Sequence, residues 1–197
     1  MHASATTTRA YLADGAHEII FEATALAAPF VAKADILTRI AGGWHVIEVK
    51  SSFSDTKELE NLVDDLAYTV MVFKRAGVPL IRASLLLLSR DYYRFGDSPD
   101  RLFNLVDKTT DALARATEFR ATADACAGIL FREEVPVPRL ESVCRVCAVF
   151  GNECLGRGLA HTVLEIPGLH YKKLQQLAAA GIVDLAHLPD DLKLNDR

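Results

Sequence analysis

Residues 33–50 read KADILTRIAGGWHVIEVK, and this stretch decides the predicted fold. Apolar and polar side chains alternate over residues 34–40 and again over residues 44–49, which is the period of a half-buried strand. Gly42 and Gly43 interrupt the alternation, as expected of a tight turn between antiparallel strands. The stretch therefore predicts a β-hairpin.

Three charged side chains of this hairpin fall on one predicted face. Glu48 and Lys50 are two residues apart and so point to the same side of their strand, and Asp35 can reach that side across the hairpin. Buried carboxylates are costly unless they are paired or bound to metal, and two carboxylates with water suit Mg²⁺ or Mn²⁺. A lysine beside them would orient a water molecule or stabilise charge on a phosphate. The alternative is a hairpin with ordinary surface salt bridges.

Composition narrows the class of protein. The 197 residues predict one or two domains, and 50% hydrophobic with 24% charged residues is usual for a soluble globular protein. No apolar run approaches the length of a membrane span, and the start lacks the apolar core of a signal peptide. We therefore expect a cytoplasmic protein without a membrane partner, whose four cysteines are reduced thiols or metal ligands and not disulfides. The net charge of −4 means that nucleic-acid binding would need a local basic groove.

The segments around the hairpin predict an α/β fold. A helix is expected near the start, and a strand over residues 16–26 precedes the hairpin. A turn, a helix and a buried apolar strand follow it, over 51–55, 58–76 and 79–89. A long amphipathic helix is predicted over 100–126. Glu22 interrupts the first strand and is either a further metal ligand or base, or an acid in solvent at the edge of the sheet.

The residues of the hairpin resemble those of a known nuclease group. Asp35, twelve intervening residues and then Glu48-Val49-Lys50 resemble the PD-(D/E)xK nuclease superfamily, whose core has the predicted element order. The following helix resembles that of the RecB-like subfamily, which carries a glutamine and, four residues later, an aromatic residue. The corresponding pair here, Thr69 and Phe73, departs from that pattern. A bacterial RecB-like domain family also resembles residues 89–113, which read SRDYYRFGDSPDRLFNLVDKTTDAL.

This resemblance implies a fold and an activity. The fold would be a restriction-endonuclease-like core over residues 1–130, with a mixed central sheet flanked by helices. The activity would be metal-dependent hydrolysis of DNA phosphodiester bonds in repair, recombination or defence. Asp35 and Glu48 would hold Mg²⁺ or Mn²⁺, and Lys50 would position the attacking water. A non-catalytic DNA-binding or assembly module that keeps the fold is the second hypothesis.

Candidate DNA contacts follow the hairpin. Arg90 and Arg94 alternate with aromatic residues, a mixture that binds phosphate and stacks on bases. A structured loop with partly buried arginine stems is the alternative. Tyr68 either faces DNA or belongs to the core. The expected partner is DNA, with single-stranded DNA as one option.

A cysteine cluster characterises the predicted second region, residues 131–197. Its C-x2-C-x6-C set comprises Cys144, Cys147 and Cys154, and thiolates at such spacing can share one metal. A chance spacing or a redox pair is the alternative. Behind a RecB-like core, the set resembles that of the iron–sulfur nucleases, including the CRISPR-associated exonucleases, which implies a [4Fe–4S] cluster; zinc is the other option. Those relatives carry a fourth cysteine before the core. Here Cys126 or His161 would complete the site, or the ligand lay on a missing N-terminal segment of a truncated family member.

The last part of the sequence resembles a helix-hairpin-helix. Residues 164–168 lead into a predicted helix over 171–180, and a second short helix is expected near Leu185. Such a module can bind the DNA backbone through turn amides and helix N-termini. Lys172 and Lys173 would add positive charge. A packing hairpin without DNA contacts is the alternative.

Overall fold

The computed structural model of the protein describes residues 2–189. The chain divides between residues 131 and 132 into two compact units. The elements of the first unit are α1 (His2–Asp14), β1 (Ile19–Ala27), β2 (Phe30–Ile40), β3 (Gly43–Phe53), α2 (Leu59–Arg75), β4 (Leu80–Leu88), β5 (Phe103–Asp107) and α3 (Thr109–Leu130). Among residues 2–189, no helix combines the length and the apolar character needed to cross a membrane.

The first unit is built on one five-stranded sheet in the order β1-β2-β3-β4-β5. β3 and β4 are parallel, whereas the other neighbouring pairs are antiparallel. Parallel neighbours need a long crossover connection, and α2 lies within it. α2 contributes Leu66, Val70 and Phe73 to the same buried core as Val46 and Leu85 of the sheet. The predicted α/β fold with a mixed sheet and flanking helices is confirmed at this level.

The turn between β2 and β3 explains the glycine pair of the hairpin. Gly42 has a φ of +87°, a left-handed conformation that glycine adopts at little cost. A Cβ atom on Gly43 would collide with the carbonyl oxygen of Pro79, which accepts a hydrogen bond from the amide of Trp44 at 2.9 Å. The two glycines thus allow the turn to form against the segment that enters β4.

Three of the predicted boundaries in this unit are wrong. The first strand begins at Ile19 and not at residue 16. β3 does not end in a turn at residue 51 but continues to Phe53, because Phe53 pairs with Leu88 of the neighbouring strand. The helix predicted over 100–126 is instead a 3₁₀ turn (Pro99–Leu102), then β5, then α3. β5 forms because it pairs with the edge of β4, which would otherwise leave backbone groups unpaired.

The second unit consists of short elements. Its α-helices are α4 (Phe150–Glu153) and α5 (Tyr171–Ala179), and its 3₁₀ turns are Ser142–Val146, Val163–Glu165 and Leu185–His187. The second helix predicted near Leu185 is therefore only a 3₁₀ turn, in which the carboxylate of Asp184 accepts a hydrogen bond from the amide of Ala186. Leu174 and Leu177 of α5 pack into a small apolar core that also contains Leu140, Phe150, Val163, Leu164, Ile166 and Leu169.

Candidate active site

Asp35 lies where β2 and β3 part. The backbone pairing of the two strands runs from Ile40 opposite Gly43 to Ile36 opposite Ile47. Beyond it, Oδ2 of Asp35 accepts a hydrogen bond from the backbone amide of Val49 at 2.7 Å. A carboxylate thus takes the place of a backbone acceptor and holds the end of the hairpin at the position of the candidate site.

Glu48 and Lys50 lie side by side on β3, as their spacing predicts. Nζ of Lys50 donates to Oε1 of Glu48 at 3.3 Å and to Oδ2 of Asp65 on α2 at 3.0 Å. The side chain of Glu48 is only 13% exposed and that of Lys50 24%. Asp65 is a site residue that the sequence did not reveal. It was visible as an acid in α2, but no local spacing indicates that it faces β3.

The carboxyl group of Glu48 is in an unfavourable environment. Its Oε2 is buried and has no hydrogen-bond partner. Such an atom loses its water without compensation, which costs on the order of 1–3 kcal/mol. Burial raises the pKa of Glu48, the charge of Asp35 raises it further, and Lys50 lowers it only in part. The group therefore lacks a positive partner at Oε2.

The ammonium group of Lys50 remains charged in spite of its partial burial. Burial acts to lower the pKa of Lys50, but the hydrogen bond to Asp65 and the charge of Glu48 outweigh it, so that the pKa is raised. A lysine held in this way supplies a fixed positive charge at neutral pH. It does not serve as a proton acceptor there.

Glu22 and Lys33 form an ion pair next to Asp35. The backbone of Glu22 has a φ of +55°, the one positive φ at a non-glycine residue in the part of the chain that the structure describes. Such a conformation costs of order 1–3 kcal/mol and occurs most often at functional sites. The Glu22 carboxylate raises the pKa of Lys33, and Asp35 adds to this effect. Glu22 was predicted as a possible ligand, whereas Lys33 was not predicted at all.

The residues that could bind a metal here are two carboxylates and not a larger set. Among residues 2–189, no group of three or more His, Cys, Asp or Glu side chains is arranged to hold a metal ion. Mg²⁺ does not require such a group, because it is commonly held by one or two carboxylates and keeps several waters. Asp35 and Glu48 fit that requirement. The structure brings Asp35, Glu48 and Lys50 together and leaves Glu22 paired with Lys33.

The helix positions expected to carry a glutamine and an aromatic residue belong to the core. Thr69 and Phe73 are both buried. Tyr68 is partly exposed, and its hydroxyl group donates to the carbonyl oxygen of Val31 at 3.2 Å. Tyr68 is thus on the surface of the first unit and not in its core.

The two arginines predicted to contact DNA differ in whether they already pair with a carboxylate. Nε of Arg90 lies 2.8 Å from both carboxylate oxygens of Asp55, and its guanidinium carbon lies 4.0 Å from the centre of the Phe53 ring. The guanidinium carbon of Arg94 lies 5.7 Å from the centre of the Phe95 ring. Arg90 already has a carboxylate partner, so Arg94 is the better candidate for a phosphate contact.

The predicted residues of the second unit lie on its short elements. Lys172 and Lys173 are at the start of α5, and Lys172 is exposed. The three thiols Cys144, Cys147 and Cys154 are free, and Sγ of Cys144 accepts from the amide of Glu141 at 3.4 Å.

The structure also describes the two candidates for a fourth cluster ligand, His161 and Cys126. Nδ1 of His161 lies 2.9 Å from Oε2 of Glu165 on an exposed surface. Cys126 is a free, exposed thiol on α3 of the first unit. Neither belongs to a group of three or more potential metal ligands within the described range 2–189.

No protein-family model matches the chain, and no curated protein matches it. Among solved structures, the chain is similar to the protein described as "Crystal structure of SSO0001". The two are 20% identical, and the match covers 75% of this chain and 66% of that one, with a TM-score of 0.33. A likeness at this level carries no argument about function, which has to come from the geometry of the site.

Proposed function

We propose that the protein is a metal-dependent nuclease with a restriction-endonuclease-like core of the RecB-like PD-(D/E)xK type, which hydrolyses DNA phosphodiester bonds. This function is supported most directly by Oε2 of Glu48, a buried carboxylate oxygen without a partner beside Asp35 and Lys50. Natural proteins seldom leave such an atom unpaired unless a ligand, ion or water completes its contacts.

Asp35 and Glu48 are the residues that would hold Mg²⁺ or Mn²⁺. A cation at Oε2 of Glu48 would relieve the desolvation and the repulsion by Asp35 that raise the pKa of this carboxyl group. Bound Mg²⁺ would supply a water of lowered pKa and would stabilise charge on the phosphate. Glu22 would be an additional ligand if its carboxylate left Lys33.

Lys50 would act on the reacting phosphate or on the attacking water. Its ammonium group is fixed by Glu48 and Asp65, so it would pay little reorganisation energy when charge develops nearby. Asp65 would be a positioning residue that keeps the lysine charged and directed along β3. Tyr68, Arg90 and Arg94 are the proposed DNA contacts of this unit, and Lys172 and Lys173 those of the second.

The second unit would carry a separate metal centre through Cys144, Cys147 and Cys154. The sulfurs are not gathered into a metal-binding group among the described residues, so we assign the centre no step of the reaction. A [4Fe–4S] cluster is proposed first and zinc second, with His161 or Cys126 as the fourth ligand. Anaerobic purification followed by an absorbance spectrum and metal analysis would distinguish iron–sulfur, zinc and no metal.

A cleavage assay tests the proposed activity. End-labelled single-stranded and duplex DNA are incubated with Mn²⁺ and with the wild type, Glu48→Gln or Lys50→Ala. We expect both substitutions to lower the rate on the order of a hundredfold or more. Glu18→Gln is the matched control, because Glu18 is an exposed glutamate just before β1 and outside the site.

The controls also separate the two classes of function. Equal cleavage by the wild type and Glu48→Gln would mean that the activity belongs to a contaminant. If DNA binds but no variant or wild-type sample cleaves it, the protein is a DNA-binding or assembly module that keeps the fold.

A further inference from the structure

The segment after β4 contains a tightly built turn over residues 93–97. The amide of Tyr93 donates to Oδ2 of Asp97 at 2.7 Å, and its carbonyl oxygen accepts from the amides of Gly96 and Asp97 at 3.1 and 2.9 Å. Asp97 also forms an ion pair with Arg101. Both ends of the turn are thus held by hydrogen bonds, and its conformation does not depend on packing of the residues at its tip.

This turn presents aromatic rings to solvent. Phe95 is 98% exposed and Tyr93 76% exposed, so folding of the chain buries neither ring. The guanidinium group of Arg94 lies beside the Phe95 ring. The backbone of the turn is held before a partner binds, so that binding would have to order only the exposed side chains.

The segment that carries the turn leaves the sheet after Leu88, at the end where the strand of Lys50 also ends. Phe53, three residues after Lys50, pairs with Leu88 at the end of β4, and the amide of Ser54 donates to the carbonyl oxygen of Leu88. The pairing is irregular between Val49 and Phe53, so Lys50 lies less than the roughly 10 Å of three regular strand residues from this end of the sheet. A DNA strand whose phosphate lies at Glu48 and Lys50 would therefore pass the end of the sheet from which residues 89–97 continue.

The charges of the segment favour stacking over general electrostatic attraction. Residues 89–101 contain three arginines and three aspartates, and so have no net charge. Arg90 and Arg101 are paired with Asp55 and Asp97. Contact with a nucleic acid would depend on the rings, since every unpaired base offers a face on which an aromatic side chain can stack.

We propose that the turn over residues 93–97 is a base-stacking site, in which Phe95 stacks on an unpaired base and Arg94 contacts the adjoining phosphate. This inference rests on the proposed function for the nature of the partner, but it concerns binding and not cleavage. Tyr93 provides a second ring on the same turn.

Fluorescence anisotropy of labelled DNA in EDTA tests the proposal without any cleavage. We expect Phe95→Ala to weaken binding of a single-stranded oligonucleotide roughly 5- to 150-fold, the range for loss of one base–aromatic stack. Binding of the duplex of the same sequence should change much less. Arg94→Gln should reduce the salt dependence of binding by about one phosphate contact, whereas Phe95→Ala should leave it unchanged.

Two further variants control for non-specific effects. Phe131→Ala removes a ring that is 74% exposed at the end of the first unit, and it should bind like the wild type. Phe95→Trp should retain binding, and its indole fluorescence should be quenched by single-stranded DNA. Circular dichroism checks that each variant is folded.

Several results would overturn the proposal. They are unchanged single-strand affinity in Phe95→Ala, an equal loss on duplex DNA, and no binding of single-stranded DNA by the wild type. A normal affinity of Phe95→Ala together with Glu48-dependent cleavage would remove the stacking site and leave the nuclease. Phe95-dependent binding without cleavage would support the stacking site and exclude the nuclease activity.

Discussion

Different interactions stabilise the interior of each of the two units. The first has a five-stranded sheet, and α2 packs the fully buried side chains of Leu66, Val70 and Phe73 into its core. Within the described residues, the longest element of the second is α5, with nine residues, and its core cluster has eight buried hydrophobic residues. Such a core offsets little of the entropy lost on ordering, about 1–2 kcal/mol per residue. The comparison indicates that burial suffices for the first unit and that the second needs a further source of stability.

The same contrast holds for the candidate functional groups. Strands fix the spacing of Asp35, Glu48 and Lys50, so their mutual geometry follows from the sheet. The cysteines of the second unit lie on a 3₁₀ turn and at the ends of short segments. Their convergence would therefore have to come from the metal itself, as in small metal-dependent folds.

Loss of the proposed cysteine ligands should have the largest effect. In Cys144→Ser/Cys147→Ser, amides of residues 132–189 should exchange hydrogen far faster, because a structural metal contributes on the order of 10 kcal/mol to such folds. Amides of residues 4–131 serve as the internal control and should not change. Cys126→Ser tests the fourth ligand separately. Exchange equal to that of the wild type in the double variant would show that no metal stabilises this unit.

Equivalent core substitutions should affect the stability of the two units differently, and this is the next largest expected effect. Leu66→Ala and Leu174→Ala each remove a side chain that is at most 1% exposed, and such changes cost about 2–5 kcal/mol. We expect the first unit to remain folded with a lower urea midpoint. In a chelator, the second unit of Leu174→Ala should lose its protected amides altogether. Equal tolerance of the two substitutions would contradict the comparison.

The pH dependence of stability should reveal Glu48. Its pKa in the folded state is raised above the ordinary 4.5, so between these values the folded protein holds a proton that the unfolded chain has lost. The free energy of unfolding contributed by this group is therefore full at low pH and falls as the pH rises through the folded pKa. In EDTA, the stability of Glu48→Gln relative to that of the wild type should therefore be higher at pH 8 than at pH 4. A stability difference that is the same at both pH values would exclude the raised pKa.

The smallest expected effect is at Glu22. Glycine adopts its φ of +55° without the steric cost of a Cβ, so Glu22→Gly should raise the free energy of unfolding by about 1 kcal/mol. The exposed ion pair with Lys33 offsets little of this gain. Urea denaturation provides the measurement, with Glu18→Gly as the control at an ordinary exposed position. A destabilised Glu22→Gly variant would mean that the backbone there is not strained.

Long periodic segments of the sequence predicted most of the first unit. The hairpin, the crossover helix α2 and the apolar strand β4 were all expected, because their side-chain periods are local properties. β5 was missed because FNLVD becomes a strand only through pairing with β4. Asp65 and Lys33 were missed for the same reason, since their contacts join distant parts of the chain. In the second unit, the sequence predicts the ligands but no geometry that would bring them together.

Binding of Mn²⁺ measured by calorimetry tests the central claim most directly. Mn²⁺ prefers oxygen ligands and so reports on the carboxylates and not on the thiols. We predict that the wild type and Glu18→Gln bind Mn²⁺ with equal affinity, and that Asp35→Asn and Glu48→Gln each bind at least about tenfold more weakly. Unchanged Mn²⁺ affinity in Glu48→Gln would contradict the assignment of a metal-dependent active site to this face of the sheet.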